Sequence, residues 1–240
     1  MDTHICSMYP DEEEWDTIYD AFEEGRRPNW PEMHLHLEAQ DTSAQGWIAL
    51  LQLVEDAIRD QREVFAPKQD IGPELWSQVV TLPPSIAQLK HVKKLCLYQS
   101  SLLRIPPEIG GMERLEEFDP YTSYGLHWLP YEITRCKKLK SSRVSTRALY
   151  GNYKFRQAFP SLDPIVPELV HAHCSVCDGP LSVDTVRQRW ISLWVATDVL
   201  PLLVNACSEA CLEKLPQPPE DYVQVAHKGG PDIEQPLVDW

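Results

Sequence analysis

The chain has no apolar run of the roughly 18 residues that a membrane-spanning helix needs. Its first residues, Met1-Asp2-Thr3-His4, carry no basic patch leading into an apolar stretch, so no secretory signal is read there. It has no glycine-rich phosphate loop, no His-Glu-x-x-His, no Gly-x-Ser-x-Gly and no carboxylate pair in a recognisable frame. Catalytic groups need not be neighbours in sequence, but nothing positive points to an enzyme. Positive charge is scarce: 22 Lys and Arg stand against 36 Asp and Glu, a net charge of −14. Such a balance repels nucleic acid and anionic membrane, whose binding needs a positive field. With 240 residues, 43% hydrophobic and 24% charged, the composition excludes wholesale disorder, collagen and coiled coil, and suits one or two domains. Proline is in excess, at 21 residues.

The charge is unevenly spread. Residues 1–66 hold 16 acids and 4 bases, 67–160 hold 8 and 14, and 161–240 hold 12 and 4. Within 133–162 there are eight bases (Arg135, Lys137, Lys138, Lys140, Arg143, Arg147, Lys154, Arg156) and no acid. Solvation, or pairing with the acidic N-terminal region, is the expectation for this segment. A nucleic-acid-associated role through it is the alternative.

Of seven cysteines, four form two close pairs, Cys174-Ser-Val-Cys177 and Cys207-Ser-Glu-Ala-Cys211, while Cys6, Cys96 and Cys136 stand alone. An odd count in a chain this long, without a visible signal, reads as reduced thiols of a cytoplasmic protein rather than a disulfide framework.

Residues 10–24 predict an amphipathic helix: Pro10 at its start, acids in the first turn, and Trp15, Ile18, Tyr19 and Phe22 on one face. His34 and His36 alternate with Leu35 and Leu37, as in one face of a short extended segment. A second helix is expected from about Thr42 to Phe65, capped by Asp41, Thr42 or Ser43, and ended by Pro67. Trp47, Leu51, Val54 and Ile58 make its apolar face.

Three segments then align: Leu82-Pro-Pro-Ser-Ile-Ala-Gln-Leu89, Ile105-Pro-Pro-Glu-Ile-Gly-Gly-Met112 and Leu129-Pro-Tyr-Glu-Ile-Thr-Arg-Cys136. Their isoleucines, 86, 109 and 133, recur at steps of 23 and 24, and Val92, Leu115 and Leu139 keep the register downstream. Leu95, Phe118 and Ser142, then Leu97, Pro120 and Val144, keep it too. This pattern resembles the leucine-rich-repeat family, whose period is about 20–29 residues. The asparagine usual after the strand is missing, with Ser100 and Ser123 in its neighbourhood, and polar Ser142 falls at a core position. The resemblance implies a short solenoid of about three repeats whose ends need covering by the flanking regions. It also implies a concave face carrying Lys94, Cys96 and Tyr98, then Glu117, Asp119 and Tyr121, then Ser141, Arg143 and Ser145. Tyrosine and arginine anchor interfaces, so the candidate partner-binding residues are Tyr98, Glu117, Asp119, Tyr121 and Arg143. Tyr124 and Trp128 either extend that patch or lie buried beneath it. Tyr150, Tyr153, Phe155 and Phe159, interleaved with Arg147, Lys154 and Arg156, are expected to close the solenoid with rings inward and bases outward.

Cys174-x-x-Cys177 precedes Asp178-Gly179-Pro180, which reads as a metal-binding knuckle. Between the pairs, Trp190 to Val195 alternates as a strand, with Val199 to Val204 as its partner and Pro201 on an edge. Ser208 is a good N-cap, so Cys207 and Cys211 sit at a helix start. Knuckle, hairpin and helix resemble the treble-clef zinc fingers. That resemblance implies one structural zinc ion held by Cys174, Cys177, Cys207 and Cys211, with His171 and His173 as substitutes weighed and set aside. The expected whole is an α/β protein: residues 1–66 an acidic helical cap, 67–160 the repeats, 161–240 the cysteine-rich finger region. Its expected work is binding a protein partner.

Overall fold

The computed structural model describes residues 35–236. The helix expected over 10–24, together with His34, lies outside the described residues. The described chain is mixed α/β, with short helices, a four-stranded parallel sheet and a three-stranded mixed sheet. No helix among the described residues is long and apolar enough to cross a membrane.

Helix α1 (Gln45–Arg59) presents Trp47, Leu50, Leu53, Val54 and Ala57 to the core. It starts three residues later than expected. Asp41 turns its carboxylate to Ser43 instead of capping, and the first-turn N–H of Gly46 is satisfied from outside by Gln78 Oε1 at 2.9 Å. Position 46 must be glycine, because a Cβ there would lie 2.0 Å from the Leu75 carbonyl oxygen. The helix also ends early. Gln61 takes φ +51°, the Arg62 N–H bonds the Ala57 carbonyl and the Gln61 N–H bonds that of Ile58, which is a Schellman stop. This frees Val64–Phe65 to form β1, parallel to the first repeat strand.

Pro67 and Pro73 then open two short helices, α2 (Pro67–Ile71) and α3 (Pro73–Trp76), where a missing N–H costs nothing.

Each aligned segment folds alike. A 3₁₀ turn (Pro84–Gln88, Pro107–Gly111, Tyr131–Arg135) buries its isoleucine completely and leads to a strand. The strands are β2 (Lys94–Cys96), β3 (Glu117–Asp119) and β5 (Ser141–Ser142). They pair in parallel with Lys94 opposite Glu117 and Glu117 opposite Ser141, so the sheet register equals the sequence period. Where the asparagine is missing, serines one repeat apart substitute: Ser100 Oγ donates to Ser123 Oγ at 2.7 Å, and Ser123 Oγ donates to the Leu97 carbonyl.

The third repeat belongs to both sheets. Its Leu129–Pro130 forms β4, parallel to β7 (Asp198–Ala206), which in turn pairs antiparallel with β6 (Arg187–Val195). β7 is therefore the central strand and Pro201 is not on an edge strand. The N–H and C=O of Trp190 face His227, away from β7, so Ser192 two residues on faces away likewise. Pro201, opposite Ser192, then points its nitrogen away from β6, and β4 stops at Leu202 and Leu203. No ladder bond is lost there.

Ser142 at its core position is hydrogen-bonded rather than apolar. Its Oγ shares its one hydrogen between Asp198 Oδ2 (2.5 Å) and the Val195 carbonyl (3.1 Å) and accepts the Thr197 N–H (3.3 Å), while Thr197 Oγ1 donates to the Ser142 carbonyl (2.9 Å). The β6–β7 turn thus covers the edge of the parallel sheet, which would otherwise offer unpaired backbone. One continuous apolar cluster runs from Trp47 through the repeat leucines to Ile191, Leu202 and Cys211. From Trp190 to Val195, β6 is buried on both faces except at Trp194, and Trp190 sits beneath Trp128, Tyr150 and Phe159, with ring centroids 5.7, 5.6 and 6.0 Å away. Trp128 is buried in this aromatic cluster and adds nothing to an exposed patch.

Candidate metal centre and interaction face

The thiol sulfurs of Cys174, Cys177, Cys207 and Cys211 all lie within 4.8 Å of one another. Cys207 is 3.6 Å from both Cys177 and Cys211. A disulfide would need about 2.05 Å, and all four are free thiols. The edge of a tetrahedron of sulfurs about 2.3 Å from one ion is about 3.8 Å, so the spacing suits a single metal ion.

Local chemistry builds the site. Asp178, at φ +60°, returns the chain so that its N–H bonds the Cys174 carbonyl, and the Cys174 N–H bonds the Gly179 carbonyl. On the other side Ser208 caps α4 (Glu209–Leu212), accepting the Cys211 N–H at 3.3 Å. The Cys207 N–H donates to the Cys174 sulfur at 3.4 Å. Burial pushes the Cys174 thiol up, but the N–H groups of Cys177, Val176 and Cys207 outweigh it and bring it down to about 7. Cys207 is driven the other way, to about 12, by Cys177 and Cys211. Acids gathered so closely cannot all ionise unaided, and a cation among them resolves the conflict.

The residues that position the knuckle carry no signal in the sequence. Arg135, at the end of the third 3₁₀ turn, donates Nη2 to the Ser175 carbonyl (3.1 Å) and the Cys174 carbonyl (3.4 Å), and Nη1 to Asp178 (3.1 Å). Buried Glu132 lies against Ser175, and burial raises its pKa. Fully buried Asn205 donates Nδ2 to the Leu169 carbonyl and gives its N–H to Ser175 Oγ. Arg187 clamps the second loop through Glu209 (2.7 Å) and the Cys207 carbonyl. His171 and His173 are not in the four-sulfur group; His173 Nδ1 lies 3.1 Å from the Asp178 carbonyl.

The five candidate partner-binding residues come together on one face of the parallel sheet. Leu95 and Phe118 point into the core, so Lys94, Cys96, Glu117 and Asp119 alternate outward, half-buried. Tyr98 stacks on Tyr121 with centroids 6.3 Å apart. Arg143 lies 4.3 Å over the Tyr121 ring, and Lys68, which precedes the repeats, lies 5.2 Å over that of Tyr98. Lys94 pairs with Glu117 at 2.9 Å and Arg143 with Asp119 at 3.9 Å. Cation, ring, ring, cation therefore run in a row from helix α2 across the three repeats, with the acids neutralised beside them. Cys136 is a small core residue whose thiol is pushed by burial up to about 12, while Cys96 is half-buried on the outward face.

The basic segment is largely consumed by structure. Arg135 holds the knuckle, Lys140 pairs with Glu116 and Arg143 with Asp119. Tyr150, Phe155 and Phe159 are buried, whereas Tyr153 is exposed. Arg147 and Lys154 lie over the Phe155 ring at 5.8 and 5.6 Å.

No protein-family model matches this chain, and no curated protein matches it.

Proposed function

We propose that this protein is an intracellular, leucine-rich-repeat-type binding module that scaffolds or neutralises one protein partner, with a treble-clef finger held by a structural zinc ion. The observation that carries the reading is the row Lys68, Tyr98, Tyr121, Arg143, built on strands whose register repeats every 23–24 residues. Aromatic and arginine side chains supply most interface energy, and here they are pre-ordered by one another, which lowers the entropic cost of binding. Four thiolates would leave zinc no open position, which is the arrangement of structural rather than catalytic sites. The local pairing of Arg135, Lys140 and Arg143 argues against the nucleic-acid alternative.

The test is affinity capture from the native source with stoichiometric identification of the captured protein. Tyr98→Ala, Tyr121→Ala and Arg143→Ala are expected each to weaken that complex by about 1–3 kcal/mol without unfolding the chain. All three binding at wild-type affinity would remove this face from consideration.

A further inference from the structure

The row Lys68, Tyr98, Tyr121, Arg143 crosses the whole parallel sheet. Lys68 follows β1, the outer neighbour of β2, and Arg143 follows β5, the outer neighbour of β3. Each tyrosine ring therefore has a cation on one face and the other ring on its second face. No ring face is left for a nucleobase or an aromatic side chain to stack on. What faces outward is ring edge, where the quadrupole is positive.

The two cations keep most of their donors. The Arg143 side chain is 62% exposed, and its nearest carboxylate oxygen, Asp119 Oδ2, is 3.9 Å away, beyond hydrogen-bond reach. Held over the Tyr121 ring, the guanidinium has its fork open for a bidentate carboxylate. Lys68 spends one of its three ammonium hydrogens on Gln99 Oε1. The acids of the face are already used. Glu117 pairs with Lys94 at 2.9 Å, and Asp119, only 17% exposed, accepts the Tyr121 N–H at 3.2 Å. A basic partner would have to break the Lys94–Glu117 pair, whereas an acidic one meets free donors. The acidity of the whole chain does not oppose this. Residues 67–160 hold 14 bases against 8 acids, and remote charges are screened beyond about 8 Å at physiological salt.

Resting on the reading of this face as the partner surface, we propose that it receives an extended acidic segment of the partner, of pattern acid-x-apolar-x-acid, laid across the strands. Three strand steps of about 4.8 Å put the two cations roughly 14 Å apart. In an extended chain, residues i and i+4 are about 13 Å apart and share a face with i+2. The outer carboxylates reach Lys68 and Arg143, and the middle side chain lies along the edges of the two rings.

An array of immobilised peptides of equal net charge tests the spacing with the whole chain. Gly-Glu-Ser-Leu-Ser-Glu-Gly should retain the protein best, and peptides whose glutamates stand two, three, five or six apart should retain it severalfold less. Arg143→Gln should weaken retention about tenfold and Lys68→Gln about threefold, since only the fork binds a carboxylate twice. Lys138→Gln, an exposed base outside the row, should change nothing. Lys68→Glu combined with Arg143→Glu should move the preference to the peptide with lysine in place of glutamate, with unchanged near-ultraviolet circular dichroism. Retention indifferent to spacing, an equal loss in Lys138→Gln, or full displacement by a random single-stranded oligonucleotide at equal concentration overturns the proposal. If the peptides fail while Tyr98→Ala and Tyr121→Ala still weaken the complex with the captured protein, the face binds a partner of other chemistry. If those variants also bind unchanged, the face itself is idle.

Discussion

Replacing Arg135 by methionine tests whether the third repeat is the seat of the metal centre. Methionine keeps the length and apolar stem of the side chain and removes the guanidinium. Three contacts go: those to the Ser175 and Cys174 carbonyls, and the pair with Asp178. Bonds from a charged donor are worth about 1.5–3 kcal/mol each when sheltered. The Arg135 side chain is 38% exposed and that of Asp178 68%, so the ion pair contributes about 0–1 kcal/mol, and the longer carbonyl bond counts for little. The total is about 2 kcal/mol. In a body of some 200 residues that lowers Tm by roughly 4–8 °C. The effect on metal should be larger than the effect on fold. Groups that orient ligands typically change metal affinity about 10–100-fold, and Arg135 holds the carbonyl of a ligand residue. The assay is transfer of metal to a competing chelator, run beside thermal unfolding of the metal-loaded protein. Wild-type metal retention together with an unchanged Tm would refute the idea that the repeat positions the knuckle.

Ser142→Ala should cost about 1–3 kcal/mol in urea unfolding, because Asp198 Oδ2, the Thr197 N–H and Thr197 Oγ1 lose the Ser142 hydroxyl; a Thr197→Val double-mutant cycle should show coupling, and additivity would contradict the clasp. His127 and His227 are both lowered by burial to about 4. Their stabilisation is complete above an unfolded-state value near 6.5 and is lost as pH falls toward 4, by up to about 3 kcal/mol each, which unfolding midpoints across that range would read. Deleting residues 1–40, which carry 11 acids and 2 bases, should raise retention on heparin at low salt; unchanged retention would count against a pairing of the acidic N-terminal region with the basic segment.

How much was legible depended on whether the signal was periodic or partnered. The repeat isoleucines, the outward Tyr98 and Tyr121 and the four cysteines could be read because a fixed step or a fixed chemistry marks each. Ser142 was visible only as a defect in the apolar pattern. Its partners stand more than fifty residues away, so no local rule could show that a polar core position is satisfied. His36 is a second case. Its alternation with Leu35 and Leu37 marks a face of an extended segment but not which face is buried: His36 is buried and Leu37 is 39% exposed, because a histidine and an arginine from two repeats meet the polar side. Pro201 looked like an edge marker until the register put its nitrogen at a position that forms no ladder bond. Arg135, Asn205 and Arg187 hold the two cysteine loops from elsewhere in the chain, and no spacing links them to the cysteines.

The most direct test of the central claim is the metal content of the protein prepared without chelator. The account predicts one zinc per chain, four thiols shielded from alkylation, and loss of both in Cys177→Ser or Cys211→Ser. Zinc at such sites is worth roughly 10–16 kcal/mol in isolated peptides, so its removal should visibly destabilise residues 168–216. Metal-free, folded protein whose four thiols alkylate as fast as in the unfolded chain would contradict it.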